Sequence, residues 1–427
     1  MRTAHEYRES LRDGRTVYYE GQRVHDVTTH PILRIAVDHA ALDYEMAEDG
    51  RYRSLAVVPR PGGGEMSRFF AIPTTVPPSR VREFFTRCRD HDLAMAVAQT
   101  DVKGDRGAGP SDQAHPDYYL RIVDERADGI VVRGAKVHTS VSMNANELIV
   151  LPTRALGEAD SAYAVAFAIP VDTQGLSLVV SPYAGPAASP FAYPLSSRHR
   201  MTESLTVFDD VFVPRDRVFL QGEWQYAGSL ARTFVEFHRF TAISYKLPLV
   251  DLLAGAGQLI ARYNGIERAG HARDKLTWLV AYAQTLRKLT RMAALDCSRG
   301  ALDIAVPDAA TVNIAKLHFA SHFHQAIAHV QDLAGGLLVT APGQADWQEP
   351  AIRPLLERYL GGKGVGAEAR LRLLHLISDV TTSAMGGYHA VLAVHAEGSI
   401  EAEKLTIYRT APMDRYVALA KELAGIA

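Results

Sequence analysis

The segment at residues 100–106 carries the densest set of side chains that could do chemistry in this 427-residue chain. It reads TDVKGDR and continues as GAGPS. A phosphate or an electron-rich ring needs hydroxyl groups, glycine amides and cations such as Lys103 and Arg106, because glycine admits close approach and cations neutralise charge. The segment lacks the Gly-Lys-Ser/Thr ending of a P-loop, and no GxGxxG follows a first strand. Two interpretations stay open, a nucleotide held outside a Rossmann fold and a solvated turn.

A second set of chemically capable residues lies in FVEFHRFTAISYKLP. His238 stands seven and eight residues before Tyr245 and Lys246 on one predicted helix, so the three share a face. An imidazole can act as acid or base near neutral pH. A phenol and an ammonium could bind an enolate or phenolate oxygen. The alternative is a core histidine and tyrosine, with Lys246 paired to a carboxylate.

Two further groups of polar residues are open to a chemical and a structural interpretation. His318, His322 and His329 share one face of a predicted helix, and two histidines four residues apart could bind zinc. The glutamate of an HExxH zinc motif is missing, which favours a surface or interface stripe. Asp209 and Asp210 precede VFVPRDRVF and predict a turn.

The bulk composition argues against several classes of protein. A net charge of −2 at pH 7 does not provide the basic surface that nucleic acids require. The first residues, MRTAHEYRES, are polar and unlike a secretory signal, and no run of about eighteen apolar residues predicts a membrane span. The two cysteines, Cys88 and Cys297, imply no disulfide framework. We therefore predict a cytoplasmic protein without nucleic-acid or membrane partners.

The spacing of apolar residues predicts the elements that must position these groups. TVYYEGQRV predicts a hairpin turning at Glu20 and Gly21. HPILRIAVDHAALDYEMAED predicts a helix with Pro31 in its first turn, PRPGGG a loop that could act as a lid, and PPSRVREFFTRCRDHDLAMAVAQ another helix. From about residue 118 to 220 the period changes from about 3.6 to 2, with a hairpin turn at Asp128 and Gly129. Long amphipathic helices are predicted near 228–263, 267–299, 310–338, 366–396 and 413–426.

This order of elements predicts an α+β fold in three parts. We place a mainly helical N-terminal domain at residues 1–117, a central β-domain at 118–222 and a C-terminal helical bundle at 223–427. A small β-domain between two helical domains suits a ligand at a domain junction.

Several stretches together resemble one family of flavoproteins. They are YRESLRDGRTVYYEGQRVHDVTTHP, TDVKGDRGAGPS, DGIVVRGAKVHTS, VFDDVFVPRDRVFL, YNGIERAGHARDKL and DLAGGLLVT, and GYHAVLAVHAEGS extends the match. On these stretches the chain is similar to the family of 4-hydroxyphenylacetate 3-hydroxylase oxygenase components and 4-hydroxybutyryl-CoA dehydratase. The resemblance implies a fold of the acyl-CoA dehydrogenase type.

The resemblance also implies an FAD site. In that family the loop and the strands after it form the flavin site, and the positions carried over are Thr100, Lys103, Asp105, Arg106, His138, Thr139 and Ser140. A second segment looks like the one that reaches the FAD of a neighbouring subunit, at Gln331, Asp332, Gly335 and Gly336. This implies a homotetramer, or at least a homodimer.

The chain departs from both branches of the family. The dehydratase branch holds an iron–sulfur cluster on three cysteines and one histidine. Only His238 fits that set here, since Tyr245 stands at the last cysteine position and the segment with the other two is missing between MSRFF and REFFT. Leu392 replaces the dehydratase base, although His395 is kept, and Val97 replaces a histidine of the hydroxylase branch. We therefore predict no iron–sulfur cluster and no metal, and an altered substrate side.

Three functions remain open from the sequence. The first is an FAD-dependent monooxygenase that uses reduced FAD from a separate reductase and acts on a phenol or another electron-rich small molecule. His238, Tyr245 and Lys246 would then serve the substrate, with Ser140 or Thr139 as a donor near the flavin. The second is a cluster-free relative of the dehydratase that performs an elimination, isomerisation or dehydrogenation on an acyl-thioester. The third is a flavoprotein scaffold that has lost its chemistry, without flavin-dependent stabilisation.

Overall fold

A computed structural model describes residues 1–71, 79–182, 189–300 and 303–426 of the chain. The chain divides into two compact units. The first comprises Met1–Ala188, Leu195–Thr233 and Leu302–Ile304, and the second comprises Ser189–Pro194, Phe234–Ala301 and Ala305–Ala427. The three domain boundaries drawn from the sequence stay a prediction.

Two sheets dominate the first unit. One has six strands in the order β2-β1-β10-β11-β7-β6, and the other has four in the order β12-β9-β8-β5. A separate hairpin joins β3 to β4. The strands are β1 (Val17–Tyr19), β2 (Gln22–Val24), β3 (Val57–Pro59), β4 (Glu65–Ser67), β5 (Met95–Ala98), β6 (Arg121–Arg126), β7 (Gly129–Ser140), β8 (Glu147–Val150), β9 (Val165–Pro170), β10 (Leu176–Val180), β11 (Glu203–Pro214) and β12 (Val218–Gln221). Strands β1, β2 and β5 come from the N-terminal segment that was predicted to be mainly helical.

One apolar core is shared by both sheets. Phe167 of β9 meets Phe208 of β11 edge to face, with 6.0 Å between the ring centroids. Leu33, Ala36 and Val37 join this core from a helix that begins at Leu33. The alternation of apolar residues that predicted the strands is thus the alternation that builds this core.

The helices of the first unit cover or flank the sheets. They are α1 (Ala4–Glu9), α2 (Leu33–Glu48), α3 (Arg53–Ala56) and α4 (Arg80–Asp90). Short 3-10 helices lie at Arg68–Phe70, Pro110–Asp112, Pro116–Tyr118, Ser142–Asn144, Glu158–Tyr163 and Arg215–Arg217.

The second unit is a helical bundle, to which α5 contributes from Phe234 onward. Helix α8 packs against α6, α7, α12, α13 and α14, and it buries Phe319 and Phe323. Its helices are α5 (Trp224–Tyr245), α6 (Leu247–Tyr263), α7 (Gly270–Leu295), α8 (Ala309–Ala334), α9 (Leu337–Thr340), α10 (Gln344–Gln348), α11 (Arg353–Tyr359), α12 (Ala367–Thr381), α13 (Ala384–His395), α14 (Ile400–Thr410) and α15 (Met413–Ala424), with a two-residue hairpin of β13 (Ser298–Arg299) and β14 (Ala305–Val306). In the part of the chain that the structure describes, no helix is long and apolar enough to cross a membrane.

Both predicted hairpins are confirmed. Strands β1 and β2 pair antiparallel around Glu20 and Gly21, whose φ angles of 48° and 77° are both left-handed, as a tight hairpin turn requires. Strands β6 and β7 pair antiparallel around Asp128. The helix predicted from HPILRIAVDHAALDYEMAED is also present, although it begins at Leu33, beyond Pro31.

Four predicted elements need correction. The helix predicted to continue to residue 99 ends at Asp90, and the short apolar run after it forms β5, which pairs parallel with β8. Asp209 and Asp210 do not form a turn but lie inside β11, where the register against β7 shifts between Phe208 and Val211. Asp210 has a φ of 51°, which is the local irregularity that a β-bulge introduces. The long helix predicted near 228–263 is two helices, α5 and α6, and the one predicted near 366–396 is also two, α12 and α13.

Candidate active site

A buried ion pair fixes the start of the segment at residues 100–106. The Lys136 ammonium lies 2.8 Å from the Asp101 carboxylate, and the two side chains are only 3% and 5% exposed. Lys136 also donates to the carbonyl oxygens of Gln99 (2.9 Å) and Leu151 (3.0 Å). The Asp101 carboxylate accepts a further bond from the Leu120 amide at 3.0 Å. A buried charge needs this kind of complete pairing, so the ion pair ties the segment to β7.

The middle of the segment is held in a left-handed conformation. Lys103 and Gly104 have φ angles of 77° and 49°. A Cβ on Gly104 would lie 2.3 Å from the Tyr118 ring, so only glycine fits there. Gln113 braces the next residue by accepting from the Asp105 amide at 3.0 Å and donating to its carbonyl at 2.7 Å. The result is a shaped loop rather than a simple solvated turn.

The cations of the loop differ in their surroundings. Lys103 is partly buried, and burial together with the nearby Arg106 and Arg154 lowers the pKa of its ammonium, although Asp101 acts in the opposite direction. Arg106 itself is exposed. Neighbouring cations of this kind favour an anionic ligand such as a phosphate.

The end of β7 carries the other three residues predicted for this site. The register against β11 shifts between Ser204 and Thr206, and opposite that shift His138 has a φ of 56° and an exposed side chain. Ser140 donates to the Glu203 carboxylate, whose oxygens lie at 2.9 and 3.0 Å.

Thr139 is the residue of this strand end that lacks a partner. It is 1% exposed, and its hydroxyl has no hydrogen-bond partner. A buried hydroxyl without a partner costs stability unless a ligand satisfies it. The loop and this orphaned hydroxyl therefore fit a bound polar cofactor in the first unit.

The second predicted segment lies at the end of α8, in the second unit. Gly335 ends the helix with a φ of 75°, and a Cβ on Gly335 or Gly336 would meet nothing within 4 Å. Gln331 donates to the Thr381 carbonyl at 3.3 Å, and Asp332 lies 2.9 Å from Lys275 in an exposed ion pair. The two glycines leave the backbone open to close approach by a ligand.

His238 lies on α5 with its side chain half-buried and its ring beside Phe234, at 5.0 Å between ring centroids. Burial lowers the pKa of this imidazole, and the nearby Lys246 adds to that effect while Glu397 opposes it. This shift favours the neutral imidazole, which is the form that can accept a proton.

Tyr245 and Lys246 lie at the junction of two helices rather than on one helix. Helix α5 ends at Tyr245, which is 47% exposed, whereas Lys246 precedes α6 and is 5% exposed. The prediction of one shared helix holds for His238 and Tyr245 but is wrong for Lys246, because a new helix begins at Leu247 with Pro248 in its first turn.

A carboxylate that the sequence did not reveal binds both residues. Tyr245 donates its hydroxyl hydrogen to Glu397, and the Lys246 ammonium lies 2.6 Å from the other oxygen of the same carboxylate. Burial lowers the pKa of Lys246 to about 8, although Glu397 opposes this. The structural alternative left open for Lys246, pairing with a carboxylate, is the arrangement observed.

More charged groups surround this carboxylate. Lys316 lies 3.8 Å from Glu397 and 3.1 Å from Glu403, and the side chains of Lys316 and Glu403 are 0% exposed. Arg239 donates to the backbone carbonyl of Glu397 at 2.9 Å. Burial disfavours the ionised form of Glu397, but Lys246, Tyr245 and Lys316 together hold the pKa of its carboxyl below the usual value. The chain separates Glu397 from Tyr245 by 152 residues, so no local pattern could have found the pair.

The histidine stripe of α8 packs against aromatic rings. His329 lies 4.9 Å from Trp278 between ring centroids, and His318 lies 5.3 Å from Tyr282. Across residues 1–71, 79–182, 189–300 and 303–426, no group of three or more His, Cys, Asp or Glu side chains is arranged to hold a metal ion. The region from which the family's substrate-contacting segment is missing includes residues 72–78. These residues lie outside those that the structure describes.

Known proteins resemble the chain over its whole length. The sequence profile of the 4-hydroxyphenylacetate 3-hydroxylase N-terminal domain matches residues 3–77 and 76–220, and that of its C-terminal domain matches residues 227–425. The 4-hydroxybutyryl-CoA dehydratase/vinylacetyl-CoA-Delta-isomerase of Clostridium aminobutyricum is 30% identical over 492 residues, which cover 100% of both chains. The 4-hydroxyphenylacetate 3-monooxygenase oxygenase component of Thermus thermophilus is 27% identical over 432 residues, or 90% of this chain and 89% of its own.

A solved structure extends this likeness to the fold. The oxygenase component of 4-hydroxyphenylacetate 3-monooxygenase, complexed with FAD and 4-hydroxyphenylacetate, superposes with a TM-score of 0.92 at 26% identity, covering 99% of this chain and 98% of that chain. The predicted α+β fold of the acyl-CoA dehydrogenase type is thereby confirmed.

Proposed function

The chain belongs to the 4-hydroxyphenylacetate 3-hydroxylase family, and on that premise we propose that it is an FAD-dependent monooxygenase of the two-component type. Its substrate is a phenol or another electron-rich small molecule. Reduced FAD comes from a separate flavin reductase, which is the functional partner. A homotetramer or homodimer and a cytoplasmic location complete the proposal.

The cysteine content carries the choice of an oxygenase over a dehydratase. An iron–sulfur cluster needs thiolates, with histidine as an occasional substitute, and the chain has two cysteines. Cys88 is fully buried, and burial raises the pKa of its thiol to about 12. Tyr245, which replaces the last cysteine of the dehydratase branch, is bound to Glu397. These residues do not fit a cluster.

The residues of the first unit fit FAD. Lys103 and Arg106 offer positive charge to its phosphates, and the Thr139 hydroxyl offers a buried donor that has no partner within the protein. Thr100, Asp105, His138 and Ser140 complete this part of the proposed site. When bound in its reduced form, FAD supplies the electrons that activate dioxygen.

The residues of the second unit serve the substrate and a neighbouring subunit. Gln331, Asp332, Gly335 and Gly336 lie at the open end of α8, where backbone amides can approach the FAD of another copy. The neutral imidazole of His238 takes up the proton that a substrate hydroxyl loses as its ring is oxygenated.

The runner-up is an FAD-dependent enzyme that carries out an elimination, isomerisation or dehydrogenation on an acyl-thioester. The observation that favours it is the 30% identity to the Clostridium aminobutyricum dehydratase over the whole of both chains. Tightly bound flavin after purification would be expected for this activity, whereas an oxygenase that exchanges flavin with a reductase binds its reduced form transiently.

Rapid mixing tests the proposal. The protein is mixed with reduced FAD without oxygen, then with oxygenated buffer, and the return of the oxidised flavin absorbance is followed. We expect that return to be delayed relative to FAD alone, and we expect a phenol to accelerate it with formation of a hydroxylated product. Reoxidation at the rate of unbound FAD, with and without a panel of phenols, would refute the oxygenase, and turnover of an acyl-thioester would establish the runner-up.

A further inference from the structure

Glu397 binds Tyr245 and Lys246, the two side chains that the sequence analysis assigned to the substrate. Tyr245 donates its one hydroxyl hydrogen to this carboxylate, and Lys246 points its ammonium at the other oxygen from 2.6 Å. The Lys246 ammonium also lies 5.1 Å from the centre of the Phe319 ring, within a buried environment. An enolate or phenolate would have to displace Glu397 to reach the Tyr245 hydrogen, and Lys246 is only 5% exposed.

The position of Glu397 is fixed from its backbone. Its φ of 58° is left-handed, which is uncommon for a residue with a side chain. Arg239 donates to its carbonyl at 2.9 Å and also to Asn313 at 2.6 Å, and a Cβ on Gly398 would lie 2.4 Å from the Arg239 guanidinium. The close fit of Gly398 against Arg239 directs the Glu397 side chain toward α5 and α8. Strained residues that are held in this way cluster at functional sites.

The charge of Glu397 is also fixed. Lys246 and Lys316 lie on the same side of its carboxylate, at 2.6 and 3.8 Å from one oxygen, while Tyr245 binds the other. The Glu397 side chain is 3% exposed. The other titratable groups near it are Glu403, which shares Lys316, and His238 and Arg239, which interact electrostatically with Glu397. These contacts favour the ionised carboxylate, which accepts the Tyr245 hydrogen.

We infer that Tyr245 is a hydrogen-bond acceptor for the ligand and that Glu397 is the positioning residue that imposes this role. The ligand group at Tyr245 is then a neutral hydroxyl or amine rather than an anion or a carbonyl. A phenol oxygen has two lone pairs and one hydrogen. Since the hydrogen points at Glu397, only lone pairs face a ligand at this 47% exposed residue. A phenolate, an enolate or a thioester carbonyl would place acceptor against acceptor. This inference rests on the proposed function, and it narrows the substrate to the protonated form of a phenol.

Two probes that differ in one hydrogen test the inference. 4-Nitrophenol and its methyl ether, 4-nitroanisole, are titrated into the protein without flavin, below the pKa of 4-nitrophenol. The wild-type protein is expected to bind the phenol about tenfold more tightly than the ether, the size of one hydrogen bond of about 1.4 kcal/mol. Tyr245→Phe removes only the hydroxyl from a half-exposed ring, so it folds, and its preference should fall to about one.

Glu397→Gln tests the positioning role. When the pH is raised past the pKa of 4-nitrophenol, the wild-type protein should lose about tenfold in affinity. In Glu397→Gln the side-chain amide can donate to the Tyr245 oxygen, which frees the Tyr245 hydrogen for an anionic ligand, so this loss should shrink or disappear. Glu401→Gln, at an exposed ion pair with Lys404 on α14, is the matched control and should behave like the wild-type protein.

Several results would overturn the inference. One is that the wild-type protein binds the two probes equally or not at all. The others are that Tyr245→Phe keeps the full preference for the phenol over the ether, or that Glu397→Gln loses affinity for 4-nitrophenol with rising pH as the wild-type protein does. The titrations contain no flavin and need no oxygen. If the protein is not an oxygenase, the reoxidation experiment fails while the preference for the phenol over the ether remains. If this inference is wrong, the preference is absent while the reaction of the reduced flavin with oxygen remains.

Discussion

Replacing Lys136 with methionine should destabilise the first unit strongly. The substitution keeps the length of the side chain but removes an ammonium that lies 2.8 Å from Asp101 and donates to the carbonyls of Gln99 and Leu151. It leaves a 5% exposed carboxylate without its cation. Removing one partner of such a pair costs about 3–5 kcal/mol, which corresponds to a fall in Tm of about 6–20 °C for a unit of this size.

Thermal unfolding with a matched control measures this effect. Arg133 lies three residues earlier on the same strand and pairs with Asp210, but these side chains are 41% and 52% exposed. An exposed pair contributes about 0–1 kcal/mol, so Arg133→Gln should barely move the Tm. Adding Asp101→Asn to Lys136→Met should recover part of the loss, because the amide oxygen still accepts from Leu120 without carrying a charge. Equal Tm values for Lys136→Met and Arg133→Gln would refute the reasoning.

The remaining predictions concern single side chains. Thr139→Val should lower FAD affinity by up to about tenfold without loss of flavin-free stability, because the hydroxyl has no partner within the protein; equal FAD titrations would contradict this. Burial lowers the pKa of Lys246 to about 8, so between about pH 8 and 10.4 the unfolded chain holds a proton on Lys246 that the folded chain has lost. The free energy of unfolding should therefore rise with pH in this window, by about 3 kcal/mol relative to Lys246→Met. Parallel curves of Tm against pH for the two proteins would argue against it. Gly104→Ala, whose Cβ would lie 2.3 Å from Tyr118, should cost about 1–3 kcal/mol in chemical unfolding. Gly255→Ala on α6, with nothing within 4 Å, should instead add about 0.5–1 kcal/mol, and a loss at this control site would show that space alone does not decide.

The parts of the fold that depend on neighbouring residues could be predicted from the sequence. The hairpin at Glu20 and Gly21 follows from two residues in left-handed conformations, and long amphipathic stretches gave α7 and α8. Short apolar runs were less informative, because four residues such as those of β5 fit a helix end as well as a strand. What makes β5 a strand is its pairing with β8, which is about fifty residues further along the chain.

The candidate site divides in the same way. The cofactor residues of the first unit lie in two short segments, so a resemblance could assign them together. Which of their polar atoms has no partner within the protein is a matter of packing, and only the structure identifies Thr139. On the substrate side, His238, Tyr245 and Lys246 were selected as residue types, but their chemistry is set by Glu397. That contact crosses 152 residues, and it turns a presumed donor into an acceptor.

The edges of the six-stranded sheet limit how copies of this chain can assemble. β6 forms one edge and pairs with β7 alone, and its outward residues include Arg121, Asp124 and Arg126. The other edge, β2, is three residues long. Charged or very short edge strands resist pairing with another sheet, since the charged side chains would lose contact with water and a three-residue strand offers few backbone bonds. Self-association of this chain is therefore not expected to extend the six-stranded sheet through either of these two edge strands.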